Sequence, residues 1–300
     1  MKNVLEYLEN INNDNKVIDK NGSITYKDLQ VVSKKIGSGL AKYVKNNDPV
    51  PVYMEKGISC LEVFMGSLYA GGFYSLLNAG LPKMRLEQII NVLDVDYVVT
   101  DNEHLESAKE FFPDKELILY EDLIDSEIDD ELLSNIRARK LDVDPVYANF
   151  TSGSTGVPKG VVVGNRSIID FIDNFTSTFG INETDIIANQ APFDFDVSVK
   201  DIYPALKTGA TLVIVPKELF SRPAELIDFL VEHKVTTMTW AVSALCLIST
   251  FHGLDYKVPE TVKRVMFSGE VMPMKHLKEW MKHLPNATFV NLYGPTEITC

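Results

Sequence analysis

From Asn149 to Val163 the chain reads NFTSGSTGVPKGVVV: three Gly, four Ser or Thr hydroxyls and one Lys between two apolar runs. Permissive backbone, free amides, hydroxyls and one ammonium suit a cluster of anionic oxygens, phosphate above all. A flexible Gly/Ser linker is the plain alternative, although linkers rarely place a Lys two residues before a Val-rich run. The nearest simple template, Gly-x4-Gly-Lys-Ser/Thr, fails twice, because Pro158 precedes Lys159 and Gly160 follows it. The loop also runs into a strand pattern and not a helix, so no helix macrodipole waits for the phosphates. A P-loop kinase is thereby disfavoured. The expectation is a mobile clamp on β and γ phosphates, acting through its own amides, the hydroxyls of Thr151, Ser152, Ser154 and Thr155, and Lys159.

Outward from this loop the pattern is regular. VYANF precedes it as a strand and GVVV follows as another, then SIIDFIDNFTSTF has helical periodicity through Ile168, Ile169, Ile172 and Phe175. DIIANQAP, TLVIVP, VTTMTWAV, VKRVMFSG and ATFVNLYG read as strands. Helical stretches separate them, among them DVSVKDIYPALKTG and PAELIDFLVEHK, the latter with Ser221 as a possible cap. Upstream, GSITYKDLQVVSKKIGSGLAKYV is a short strand and a helix, LEVFMGSLYAGGFYSLLNAG a helix, a Gly-Gly break and a buried strand, and LEQIINVLDVDYVVTD a helix then a strand. Residues 122–144 are acidic and irregular, as in a surface connection. Strands alternating with helices predict an α/β fold of mostly parallel sheets covered by helices. Two α/β subdomains are expected, residues 1–145 and 146–300, the second holding the motifs.

Ligands of open α/β sheets gather at the carboxyl ends of strands. The least core-like segments of the second half, PFDFDVS, WAVS, FSGE and NLYGPTE, each lie at or just after such an end. Parallel neighbouring strands bring all four to one rim.

Bulk composition excludes several classes. The 300 residues are 45% hydrophobic and 24% charged, ordinary for a globular protein. A net charge of −13 without a Lys/Arg cluster argues against nucleic acid. Cys60, Cys246 and Cys300 are scattered, with no CxxC spacing, which argues against structural zinc or a disulfide framework. The five histidines show no metal-ligand spacing. No 18-residue apolar run predicts a membrane span, and MKNVLEYLENINNDN has acids where a signal peptide needs an apolar run. A cytoplasmic location is the default.

FTSGSTGVPKGVVV resembles the phosphate-loop signature of the adenylate-forming superfamily: acyl-CoA synthetases, luciferases and the adenylation domains of nonribosomal peptide synthetases. FDFDVSVKDIYPAL and NLYGPTE resemble two further core motifs in the expected order, and ITYKDL and LYAGGFYSLLNAG look like weaker early ones. The resemblance covers essentially the whole chain. Amino-acid-activating domains and D-alanine–carrier-protein ligases fit best, since Phe-Asp-x-Ser-Val-x-Asp is typical of them. Asn165 departs from the His often found there, and Leu76–Asn78 from the usual Pro-Leu-Asp.

The resemblance implies ATP and Mg²⁺ as cofactors, a small amino acid as substrate and a phosphopantetheinylated carrier protein as partner. By it, Thr155, Lys159, Thr296 and Glu297 are catalytic. Nucleotide contacts come from Thr151, Ser152, Gly153, Ser154, Thr155, Gly156 and Lys159 in the loop, and from Gly269 and Glu270 after the VKRVMFSG strand. Asn291, Leu292, Tyr293, Gly294, Pro295 and Thr296 complete them. The Tyr293 ring, before a Gly-Pro turn, stacks on adenine or is an ordinary core Tyr; Asn291 meets the base edge or merely ends a strand. Thr296 touches the α-phosphate. Glu297 is a hard oxygen donor suited to Mg²⁺, or a surface Glu. Asp196 pairs with the substrate α-ammonium, its competing role being a helix N-cap, with Asp194 also at hand. The remaining pocket residues are Val197, Lys200, Trp240, Met266, Ser268, Leu292 and Cys300. Trp240 is large for a pocket wall. Lys200 either meets an acidic substrate side chain or extends to solvent, and solvent is the expectation.

Members of this superfamily continue past NLYGPTE through a ribose-binding Asp and a small C-terminal domain with a catalytic Lys. The chain stops at Cys300, so the expectation is most of a large N-terminal subdomain lacking that C-terminal part, inactive or weakly active alone. The rivals are a CoA ligase for an acid without an amino group and a nucleotide-binding or carrier-docking module without catalysis.

Overall fold

A computed structural model describes residues 2–151 and 156–299. Among these, the strands in chain order are β1 Lys16–Asp19, β2 Gly22–Thr25, β3 Pro49–Tyr53, β4 Phe73–Leu76, β5 Tyr97–Thr100, β6 Glu116–Leu119 and β7 Pro145–Thr151. There follow β8 Lys159–Gly164, β9 Ile186–Asn189, β10 Thr211–Ile214, β11 Thr237–Ala241, β12 Arg264–Ser268 and β13 Thr288–Asn291. They form two sheets, ordered β6-β5-β3-β4-β7-β8 and β13-β12-β11-β9-β10-β1-β2. Pairing is parallel except for β1/β2 and β7/β8, which are antiparallel.

A cut at residue 145 does not separate the sheets. The β1/β2 ribbon, from the chain's beginning, edges the sheet otherwise built from residues 186–291, while β7 and β8 finish the other sheet. Val17 pairs with Leu212 and Ile18 with Val213, and Tyr26 at the end of the ribbon donates its hydroxyl to the Ala210 carbonyl. Short strands with both faces covered need apolar side chains both ways, and Val50, Val52, Val98, Val99, Leu212 and Val213 are all buried.

The strand–helix alternation holds along the chain. ITYKDL becomes the end of β2 and the helix Tyr26–Leu40, with Thr25 capping it by accepting from the Asp28 amide. LYAGGFYSLLNAG becomes the end of the helix Ile58–Tyr69, a turn at Gly71 (φ +86) and β4. Residues 122–144 are more ordered than their composition implies. They hold the helix Asp130–Ala138, whose acidic first turn is capped by Asp129 and whose Leu133 is buried. Ser221 is not the cap of Pro223–Glu232: Arg222 occupies that place, and the Ser221 hydroxyl donates to the Glu218 carbonyl.

Candidate active site

The neighbours β13, β12, β11 and β9 run parallel, so their carboxyl ends share one rim. NLYGPTE follows β13, FSGE closes β12, WAVS closes β11 and PFDFDVS follows β9. The four segments therefore converge as the strand periodicity requires.

Contact at the rim is direct. Thr296 Oγ1 donates to Asp196 Oδ2 at 2.6 Å across 100 residues of chain. Both line a cavity of about 360 Å³ together with Thr151 at the root of the glycine-rich loop, Asn149, Asp194 and Arg85. Arg85, from the helix Lys83–Leu93, donates to the Thr151 carbonyl at 3.2 Å. No local signal marks Arg85 in sequence, since its partner lies 66 residues away.

Asp196 is no helix cap. It begins a short 3₁₀ turn, the helix Val199–Thr208 has no side-chain cap, and its carboxylate is engaged by Thr296. Asp194 plays the supporting part. Its Oδ1 accepts from Asn78 Nδ2 at 3.0 Å, and burial raises its carboxyl above the usual range against the pull of that bond. Asn78, one of the departures noted in sequence, thus brings a donor where an Asp would bring a second negative charge. The other departure, Asn165, is buried and ties the chain's start to the β7 region: its Oδ1 accepts from the Val4 amide and its Nδ2 donates to the Asp144 carbonyl.

The nucleotide candidates differ in exposure. Tyr293 is 96% exposed, its ring faces free. Asn291, Pro295 and Glu297 are exposed, and Leu292, Gly294 and Thr296 half-buried. Gly269 follows β12 with φ +94, a conformation that suits glycine, beside exposed Glu270. Gly156, at φ +82, and Lys159, heading β8, are exposed at the far end of the loop. Ser152, Gly153, Ser154, Thr155 and Cys300 lie outside the described residues.

Alternation along the strands sorts the substrate candidates. Met266 packs in the core shared with Val199 and Ile202; Ser268, two residues on, takes the same side, and Leu292 packs against that core. Trp240 does not join them. It is fully buried on the opposite face with Phe220 and Leu245, its Nε1 donating to the Ala188 carbonyl at 2.8 Å. Thr239, one residue earlier and paired with Met266, takes the same side as Met266, as the period of two dictates. Val197 is half-buried. Lys200 is 2% exposed and does not extend to solvent.

Beneath these residues lies a polar chain that no motif announced. Lys56 Nζ, from beyond β3, donates to Asn189 Oδ1 at 3.2 Å and to the Gln190 carbonyl at 2.9 Å, and Asn189 Nδ2 donates to Asp201 Oδ2 at 2.9 Å. Burial pushes the Asp201 carboxyl up to about 7 and the Lys56 ammonium down to about 8.

A second cavity, of about 180 Å³, opens between the sheets and is lined by Lys20, Glu55, Lys56, Lys217 and Glu218. Its charges are largely satisfied among themselves, Glu55 pairing with both Lys20 and Lys217. Asp255, Glu279 and His283 come within 4.8 Å of one another at the far end of the helix Met274–His283, a grouping the sequence spacing did not show. Among the described residues no helix is long and apolar enough to cross a membrane.

Comparison with known proteins places this arrangement. A D-alanine–D-alanyl carrier protein ligase of Bacillus velezensis is 32% identical over 282 residues, 92% of this chain and 54% of that protein. The chain thus spans about half the length of the curated relatives it matches. Among solved structures, the AMPPNP-bound nonribosomal peptide synthetase FmoA3 superposes with a TM-score of 0.86 at 22% identity, over 98% of this chain and 32% of that one. VinN in complex with L-aspartate gives 0.85 at 21% identity, over 99% and 76%. The fold is that of the N-terminal part of adenylate-forming enzymes. The family model for AMP-binding enzymes matches residues 8–300, and the chain belongs to that family.

Proposed function

We propose that the chain forms the nucleotide- and amino-acid-binding part of an enzyme that activates an amino acid with ATP. One oxygen of the amino acid carboxylate attacks the α-phosphorus, the bond to the bridging oxygen breaks, and pyrophosphate leaves an aminoacyl-adenylate. The whole protein then passes the aminoacyl group to the phosphopantetheine thiol of a carrier protein, in the cytoplasm where ATP is available.

The observation that supports this best is the 2.6 Å bond between Thr296 and Asp196. It joins a carboxylate suited to an α-ammonium to a hydroxyl suited to the phosphate that the amino acid must meet, so both reactants fall within one reach. Tyr293 offers an open ring face to adenine, and Gly269 and Glu270 border the same rim. Lys159 is an exposed ammonium at the mouth of the glycine-rich loop, placed to offset charge on the departing phosphates. Glu297 is an exposed carboxylate without an ion pair among the described residues, the hard oxygen donor that Mg²⁺ takes alongside phosphate oxygens. Bound there, Mg²⁺ neutralises phosphate charge.

The test is ATP–pyrophosphate exchange with the complete gene product. Amino-acid-dependent exchange is expected, and Asp196→Ala should lower its kcat/KM by about 100-fold, the cost of deleting one partner of a buried charge pair. Unchanged exchange with a carboxylic acid lacking an amino group defeats the amino-acid reading in favour of a CoA ligase. Nucleotide binding without any exchange leaves a binding module.

A further inference from the structure

The second cavity lies at the carboxyl ends of strands from both sheets. Lys20 follows β1, Lys56 follows β3, Leu76 ends β4, Gln190 follows β9 and Ile214 ends β10. Ligands of parallel sheets collect at such ends, and the activation reaction uses none of these side chains.

Its charged groups are not equivalent. Asp19 accepts from the amides of Asn21, Gly22 and Ile58, and Glu55 is shared by Lys20 and Lys217. Glu218 is exposed, where water screens it. Lys56 is half-buried and donates only to two neutral oxygens, those of Asn189 and Gln190. It has a third N–H to give and makes no ion pair among the described residues. Asp201 acts on it at a distance, through Asn189. Half-buried Gln190 offers a second donor: its Oε1 accepts from the Ala241 amide, while its Nε2 makes no hydrogen bond among the described residues. The remaining lining is largely apolar, with Leu76, Phe193, Ile214 and Val215 buried and Phe220 half-buried.

Unspent donors call for an anion, since a partly desolvated ammonium without a counter-ion costs free energy until one arrives. A lone inorganic anion would leave the apolar wall wet. The cavity's volume of about 180 Å³ falls below the ~300–1,000 Å³ of drug-sized sites, so the occupant is small. We propose that this cavity binds a small monocarboxylic acid with a branched or ring-sized apolar body. Its carboxylate takes the free donors of Lys56 and Gln190, and its hydrocarbon lies against Leu76, Phe193 and Val215. The site is separate from the one at Asp196 yet touches it. Asn78 lines this cavity and holds Asp194, which lines the other, where Arg85 is the lining cation among the described residues.

The test is calorimetric titration of the 300-residue chain with benzoate and 3-methylbutanoate, against benzamide, benzylamine and inorganic phosphate. At least one acid should bind, about 10-fold or more tighter than benzamide, benzylamine or phosphate, as one desolvated charge pair provides. Lys56→Met should weaken that acid by about 10-fold or more, while Arg85→Met should leave it within about threefold. Weakening by Arg85→Met and not by Lys56→Met puts the acid in the Asp196 cavity and overturns the proposal. So does phosphate or benzamide binding as tightly as the acids, or no binding of either acid at millimolar concentration. Should Lys56→Met fail to melt cooperatively, the wild-type protein decides. Reductive methylation with formaldehyde and cyanoborohydride, followed by mass spectrometry, should label Lys56 about 10-fold more slowly at ten times the acid's Kd, because the free site falls to about a tenth. Exposed Lys27 should react at an unchanged rate. Equal slowing of both lysines, or of neither, rules the site out.

Discussion

Asn78 shows how one atom type sets the charge state of a site. Its amide donates to Asp194 while its carbonyl oxygen accepts from the Gly80 amide. Asn78→Asp keeps the acceptor, loses the donor and places a like charge on a carboxyl already raised by burial. We expect a loss of about 1–3 kcal/mol at pH 7. Both carboxyls are then raised in the folded state, so the deficit should shrink as pH falls through their folded values and they take up protons. Urea titrations of both proteins at pH 7 and pH 4.5 check this, and an equal deficit at both rules it out. Asp194 and Asp196 lie two residues apart and take different partners, Asn78 and Thr296. Residue type alone could not assign them, because a carboxylate two positions away is chemically identical until its partners are known.

At the scale of elements, the helices Tyr26–Leu40 and Ile58–Tyr69 approach each other through glycines. A Cβ built on Gly66 meets Ile36 Cγ2 at 2.3 Å and Ile36 Cβ at 2.7 Å, and one on Gly37 meets Tyr69 Cβ at 2.5 Å. Alanine favours a helix by up to about 1 kcal/mol over glycine, yet overpacking a tight contact costs about 1–3 kcal/mol. The atoms met belong to the stiff root of Ile36, so the clash outweighs the propensity. Gly66→Ala should lower the thermal midpoint; a higher midpoint would mean that the helices separate without cost. The helical periodicity identified both helices, but nothing in it said that their glycines face each other.

At the scale of the molecule, the two sheets are joined where Lys56 reaches Asn189 and Asn189 reaches Asp201. The Asp201 carboxyl is raised to about 7 by burial, so the folded state holds its proton more tightly than the unfolded chain does. Its stabilising contribution is complete below the unfolded value of about 3.9 and is lost as pH rises through about 7. Asp201→Asn does not titrate and keeps the bond from Asn189. The variant should therefore gain stability relative to wild type as pH climbs from 4 to 8, and parallel stability curves over that range contradict the reading. This junction draws on residues 145 positions apart, from Lys56 to Asp201, and no window of sequence contains it.

What the sequence determined alone was local and periodic. Turn glycines, helical spacing and short apolar runs identify the alternating strands and helices, and the order of three motifs identifies the family, because these properties belong to stretches of ten or so residues. Tertiary structure decided the partners. It moved the β1/β2 ribbon into the later sheet, turned Trp240 to the face opposite Met266, and buried Lys200 where sequence favoured solvent. Burial and pairing depend on which surfaces meet, and that is fixed only when strands from opposite ends of the chain lie side by side.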